Sequence, residues 1–366
     1  MQLKPKRWTK LHQFLHDDRG LRYFFASLGI IIATGVALLA MMAQFQQPSI
    51  SDTVAKIVDT KKYYSPLTGL EASDEAATKQ PVTAIMIENS PDARPQSGLK
   101  EAGVVYEAIA EGGITRFLAL YQESKPQLIG PVRSLRPYFL EWAAPYDASI
   151  AHIGGSYKAL QEVRNGSYRD IDEFFNSGTY WRSDDRWAPH NVYTSFKNLD
   201  ELNAKKGYKS SSFKGLPREK VTKNPKTNIK KAQKKYPAAK DINITVSSAT
   251  YNVNYIYDAE NNNYKRSQGG EPHTDREKGQ ITPKVAIAIK VPTELGFEDG
   301  WREQMQTTGS GEAFIFQNGV VVKGTWKKTG TKEQIQFLNE KGEQVPLVRG
   351  QTWITAIPTN QTVTWQ

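Results

Sequence analysis

The chain has 366 residues, no cysteine and a formal net charge of +10. One core rarely grows past roughly 250–300 residues, so two folded domains are expected once the N-terminal segment is set aside. The lack of cysteine excludes disulfides, thiolate catalysis, Cys-ligated zinc, iron–sulfur clusters and a thioether-linked lipid.

The charge is concentrated. Between Lys205 and Lys240, thirteen Lys or Arg stand against one acid, Glu219, so this segment carries +12 and the rest of the chain −2. The basic character therefore belongs to one segment. With no Walker loop, recognition-helix pattern or RNA-binding aromatic motif, nucleic acid is not an expected partner.

Residues 1–23 form a basic tail in which Lys4, Lys6, Arg7, Lys10, Arg19 and Arg22 outnumber Asp17 and Asp18. Residues 24–45 contain no charge and, as a helix, would span roughly 33 Å, enough to cross a membrane and engage membrane lipid. The positive-inside rule then keeps the N-terminus cytoplasmic and exports the body. The run is longer than the roughly 7–15 apolar residues of a cleaved signal, and Ala40 and Ala43 miss the small-x-small spacing by one. Residues 46–80 read as a spacer whose one compact element is a turn at 64–69.

From residue 81, short apolar runs alternate with amphipathic segments, the pattern of a mixed α/β, or α+β, domain over 81–204. Strands are expected at 82–87, 104–110, 117–121 and 148–152, and helices at 134–142 and 156–163, the second capped by Ser156. Residues 205–240 read as a Lys-rich linker or insertion, with Lys230-Lys231 and Lys234-Lys235 at helical spacing. A mainly β domain is expected over 241–366, with strands at 242–246, 253–257, 285–291, 314–316, 320–322, 334–338 and 352–357. Asn318-Gly319 marks a hairpin, because a type I′ turn needs positive φ at both central residues.

Three histidines outside the tail lie in turn-rich settings: His152-Ile-Gly-Gly-Ser156, Pro189-His190-Asn191 and Pro272-His273-Thr274-Asp275. None has the i,i+4 partner of a helical metal site, and no cofactor or metal is expected. Arg94 with Gln96, Arg116, and the pair Arg133 and Arg136 form a cationic set in Gly/Pro-rich turns. If a helix begins at 134, the last two share its first turn, where they oppose the macrodipole unless an anion sits between them. Glu107 in an apolar strand and Glu111 at a Gly-Gly turn are the acid/base candidates, since apolar surroundings raise a carboxyl pKa and paired carboxylates suit glycosidic chemistry. An Arg–Glu structural network explains the same residues. Ser156 served by His152 or His190 is a weaker nucleophile reading, because the motif is not a nucleophile elbow. Trp301, Trp326 and Trp353 offer either a sugar-stacking platform or core packing.

Five collinear segments carry a resemblance: Arg94-Pro-Gln-Ser-Gly-Leu99, Val105-Tyr-Glu-Ala-Ile-Ala-Glu-Gly-Gly-Ile-Thr-Arg-Phe117, Ile129-Gly-Pro-Val-Arg-Ser-Leu-Arg136, His152-Ile-Gly-Gly-Ser156 and Ala188-Pro-His-Asn-Val-Tyr193. Together with Gly324-Thr-Trp326 and Gly350-Gln-Thr-Trp353 they resemble the YerB-like family of bacterial envelope proteins, across about residues 64–358. The resemblance implies an envelope location and a two-domain layout without an assigned reaction. Unlike lipoprotein members, this chain has no lipobox cysteine, so its anchoring rests on the apolar helix. The expected function is to bind or process a cell-wall glycopolymer. Its site would draw on Glu107, Glu111, His152 and His190 for chemistry. Arg94, Gln96, Arg116, Arg133, Arg136, Ser156, Asn191, His273 and Asp275 would serve binding. The alternative is a non-catalytic scaffold that recruits cell-wall enzymes.

Overall fold

Asp18–Gln44 is one continuous helix, and the 21 residues Arg19–Leu39 within it are long and apolar enough to cross a membrane. Its polar side chains close on their own backbone: Thr34 Oγ1 donates to Ile30 O at 2.8 Å and Ser27 Oγ to Phe24 O at 2.9 Å. That satisfaction is what a helix in hydrocarbon requires. The computed structural model describes residues 18–44 and 61–366, so most of the basic tail and the first part of the spacer lie outside the described residues.

Lys62–Gln366 forms one compact unit. Its centre is a mixed sheet in which strands from both halves of the sequence are hydrogen-bonded neighbours, in the order Gln336–Asn339, Val320–Lys328, Gly309–Gln317, Val285–Val291, Thr352–Pro358, Val104–Glu111, Ile114–Tyr121, Thr83–Glu88, Ser149–His152 and Arg169–Asp172. The join is parallel, with Trp353 opposite Val105 and Thr355 opposite Glu107. The central strands are buried along nearly their whole length, as their unbroken apolar runs demand. A second, five-stranded sheet contains Asp241–Ile244, Val253–Asp258 and Asn263–Gln268.

Turn chemistry is realised as expected. Asn318 and Gly319 both take positive φ, 58° and 73°, and join Gly309–Gln317 to Val320–Lys328. Gly112 and Gly113, at 56° and 76°, do the same between Val104–Glu111 and Ile114–Tyr121. Ser156 caps the helix Tyr157–Val163 by accepting from Ala159 N at 3.4 Å.

One helix differs. It runs Pro137–Ala143 rather than from 134, with Arg136 as an extended N-cap at φ −128°. Proline locks a helical φ at the first position and drives its predecessor out of the α region. Arg133 and Arg136 therefore sit on an extended segment and not on one helical turn.

The Lys-rich segment is docked on the body. Ser211 Oγ accepts from Val82 N at 2.9 Å, Leu216 is buried, and Lys226–Lys235 is a helix with no buried residue. The guanidinium of Arg218 holds the segment down by donating to Val348 O, Gly350 O, Thr352 Oγ1 and Leu67 O.

Candidate functional site

Adjacent residues on a strand face opposite sides of a sheet, and this alternation sorts the candidate residues into separate networks. Glu107 pairs with Phe117, while Arg116 pairs with Ala108 and Glu88 and so faces the other way. A bulge between Ile109 and Glu111 shifts the alternation and turns Glu111 onto the Arg116 face. The two carboxylates thus share no cleft, and the paired-carboxylate arrangement needed for glycosidic chemistry is not formed between them.

Glu107 has no exposed side-chain surface. It accepts two bonds from Arg266 Nη2, at 3.1 and 3.0 Å, and others from Trp353 Nε1 and Thr355 Oγ1 at 3.2 Å. Arg266, equally buried, stacks 4.4 Å from the Trp353 ring. Its Nε donates to His273 Nδ1 at 2.8 Å, and since Arg can only donate, the His273 proton resides on Nε2 and goes to Gln96 Oε1 at 3.0 Å. Gln96 Nε2 then donates to Glu88 O and Asn89 Oδ1. Burial, reinforced by Arg266 and Arg94, pushes the His273 pKa well below that of free histidine. This network links the two halves of the chain, and each member has a protein partner. Arg94 lies at its margin, bonded to Asn89 and 5.2 Å from the Tyr251 ring. Asp275 braces a turn by accepting from Lys100 N, Glu277 N and Lys278 N.

The second network occupies the opposite face. Arg116 and Arg136, with 4% and 5% of their side chains exposed, both donate to Glu111, which is 31% exposed. Burial alone would raise the Glu111 pKa, but the two arginines outweigh it and hold the carboxyl below its usual range. The raised pKa expected of a general acid is not met there. Burial and the neighbouring Arg136 push Arg116 down to about 10. The Nε atoms of both arginines are buried without a hydrogen-bond partner.

Glu88, a residue not singled out in the sequence, ties this edge to a third group. Its Oε1 lies 3.4 Å from Arg133 Nε, accepts from Ser90 Oγ at 3.0 Å and meets His190 Nδ1 at 3.0 Å, while its Oε2 is buried and unpartnered. The only signal for it is a carboxylate closing an apolar strand.

His152, Ser156 and Asn191 bond within the protein. His152 is fully buried, its ring nitrogens against Gly154 O at 2.8 Å and Asp170 Oδ1 at 3.0 Å. Ser156 bonds Glu298 Oε1 at 3.1 Å in addition to its capping role. No nucleophile–histidine pair therefore forms at Ser156. Asn191 braces its loop through Arg182 and Ser183 O. Trp326 and Trp353 are buried and Trp301 is 74% exposed, so the three do not make one platform. Among the described residues no three His, Asp or Glu side chains gather to hold a metal ion.

Fold and site together define a mixed α/β body completed by strands from two sequence regions, following an apolar helix, with a sealed ionic core and an arginine-rich edge. Residues 67–209 match the N-terminal domain, and residues 242–354 the C-terminal domain, of the family described as "Protein of unknown function (DUF3048)", and the chain belongs to that family. It is 33% identical over 318 residues to "Putative lipoprotein YerB" of Bacillus subtilis (strain 168), covering 86% of this chain and 90% of the relative. The crystal structure of YerB from Bacillus subtilis superposes with a TM-score of 0.72 at 30% identity, covering 83% of this chain and all of that one. The chain is thus a homologue of a cell-envelope-type protein of unknown function.

Proposed function

We propose that this protein is held in the membrane by its N-terminal helix, with the body outside the cytoplasm, and that it binds an anionic cell-wall glycopolymer at the edge formed by Arg116, Arg133 and Arg136. One observation carries the reading: three guanidinium groups gather around two carboxylates, Glu111 and Glu88, and all three retain a buried Nε without a hydrogen-bond partner. A buried donor without an acceptor costs about 1–3 kcal/mol, which an incoming phosphate or carboxylate would relieve. The separation of Glu107 from Glu111 favours binding over hydrolysis. The apolar helix and the excess of positive charge before it support the topology.

Arg133 is the residue to test, because it is 24% exposed and its one carboxylate contact is long, at 3.4 Å. Arg133→Ala should weaken binding of purified teichoic acid at least tenfold with an unchanged melting temperature, and the residual binding should be salt-sensitive. Undiminished affinity would remove the arginine edge from the reading.

A scaffold reading has its own support. The hairpin Thr293–Phe297 and Arg302–Met305 pairs through Arg302 with Glu111 and leaves Leu295 75% and Trp301 74% exposed, an apolar surface suited to a protein partner. Crosslinking of wild type and a Leu295→Ala/Trp301→Ala variant to wall enzymes distinguishes it: a scaffold loses its partners and a pure polymer binder loses none.

A further inference from the structure

We infer that the cavity lined by Asp92, Asp185, Arg186, Trp187, His190 and Arg276 is a subsite for one uncharged pyranose ring of a wall glycan. The inference rests on the proposed glycopolymer reading and narrows its ligand to a glycan strand rather than a phosphate-linked polymer alone. The cavity encloses about 630 Å3, within the size range of small-ligand sites.

Trp187 is 90% exposed, an uncommon state for the largest amphipathic side chain and one suited to a ligand that presents an apolar face. Its loop is fastened. Arg186 donates to Asp92 O at 2.6 Å, Arg94 O at 3.2 Å and Pro95 O at 2.7 Å, and Arg276 pairs with Asp185 at 2.8 Å. The indole is therefore presented on a braced rim, which lowers the ordering cost of binding.

The polar wall is rich in acceptors. A carboxylate only accepts, so the His190 Nδ1 facing Glu88 Oε1 at 3.0 Å carries a proton, and in the neutral ring Nε2 is then the acceptor. That Nε2 is 3.9 Å from Asp92 Oδ2, too far for a hydrogen bond, and Asp92 is 82% exposed. Both cations of the cavity are already engaged, Arg186 by carbonyls and Arg276 by Asp185, and two aspartates balance them. Free acceptors beside an open aromatic face call for hydroxyl donors on a ring with C–H faces, which is a sugar. A phosphate would meet Asp92 and Asp185 unfavourably.

Glu88 joins the two sites, holding His190 on one side and Arg133 on the other. A sugar ring on Trp187 would thus lie beside the arginine edge that takes the acidic substituents of the same polymer.

The test titrates the detergent-solubilised full chain with chitotetraose, an uncharged oligosaccharide, and separately with teichoic acid. Trp187→Ala should lose at least tenfold in chitotetraose affinity, Trp187→Phe should recover most of it, and both should keep the wild-type melting temperature and teichoic acid affinity. Chitotetraose binding that ignores Trp187→Ala, or no binding by wild type at millimolar concentration, overturns the inference. Loss of teichoic acid binding in Arg133→Ala is scored independently, so failure of the arginine edge is distinguishable from failure of the sugar subsite.

Discussion

Arg266 and Glu107, 159 residues apart in sequence, meet through one nitrogen and two oxygens at 3.1 and 3.0 Å with neither side chain exposed. Removing one partner of such a pair leaves an uncompensated buried charge, at about 3–5 kcal/mol. Arg266→Met should therefore lower the unfolding free energy in urea by that amount. The double variant Arg266→Met/Glu107→Leu should recover a large part of it, giving a favourable coupling in the mutant cycle. Additive losses would mean that the two side chains act independently, against the geometry.

His273 adds a pH dependence with a definite sign. Its pKa in the folded protein lies well below the ordinary value, because burial and two arginines oppose protonation. Between that lowered pKa and about 6.5 the unfolded chain binds the extra proton, so stability is complete above pH ~6.5 and falls as the pH drops, by up to about 1.4 kcal/mol per pH unit. Glu111 adds stability that is present above the ordinary carboxylate range and is lost as the pH falls through its lowered pKa, since Arg116 and Arg136 hold the carboxyl below that range. Melting temperatures from pH 7.5 to 5 should fall in wild type and fall less steeply in His273→Gln, whose carbonyl can still accept from Arg266. Parallel curves would place the acid sensitivity elsewhere.

Glu111 also competes with an external anion for Arg116 and Arg136. Glu111→Gln should destabilise the protein by about 1–3 kcal/mol through its two buried cations, yet bind teichoic acid several-fold more tightly than wild type. Calorimetric titration reads the affinity and urea unfolding reads the stability. Reduced binding would show that the carboxylate shapes the edge rather than occupying it.

Local features were legible in the sequence because they depend on local physics. The positive φ of Asn318 and Gly319 follows from turn chemistry, and the strand Val285–Val291 from an unbroken apolar run. Pro137 carried enough information to place the helix start and to extend Arg136, a signal that the periodicity at 134–142 overrode. The arrangement of the site was less accessible. A one-residue bulge after Ile109 reverses the face of Glu111, and nothing in the composition around Gly112-Gly113 announces it. Three of the four residues that donate to Glu107 come from strands contributed by the C-terminal half, so its burial is a tertiary fact.

The Lys-rich segment shows the same limit and supplies the last prediction. Composition over 205–240 points to a solvated linker, because one half-buried Arg among many exposed Lys leaves no mark on an average. Arg218 Nη1 donates to Val348 O at 3.1 Å, Gly350 O at 3.2 Å and Thr352 Oγ1 at 2.8 Å, while Nη2 reaches Leu67 O. Its acceptors are neutral, and burial accordingly pushes its pKa down to about 10, still well above neutrality. The planar fork is what lets one cation serve four acceptors, and an ammonium cannot reproduce it. Arg218→Lys should cost about 2–3 kcal/mol by losing charge-assisted bonds to carbonyls that stay buried. It should also speed amide exchange in residues 211–219 and 347–352 while leaving the helix Lys226–Lys235 unaffected. Wild-type exchange in both segments would mean that Leu216 and its apolar neighbours, rather than the guanidinium, hold the segment on the body.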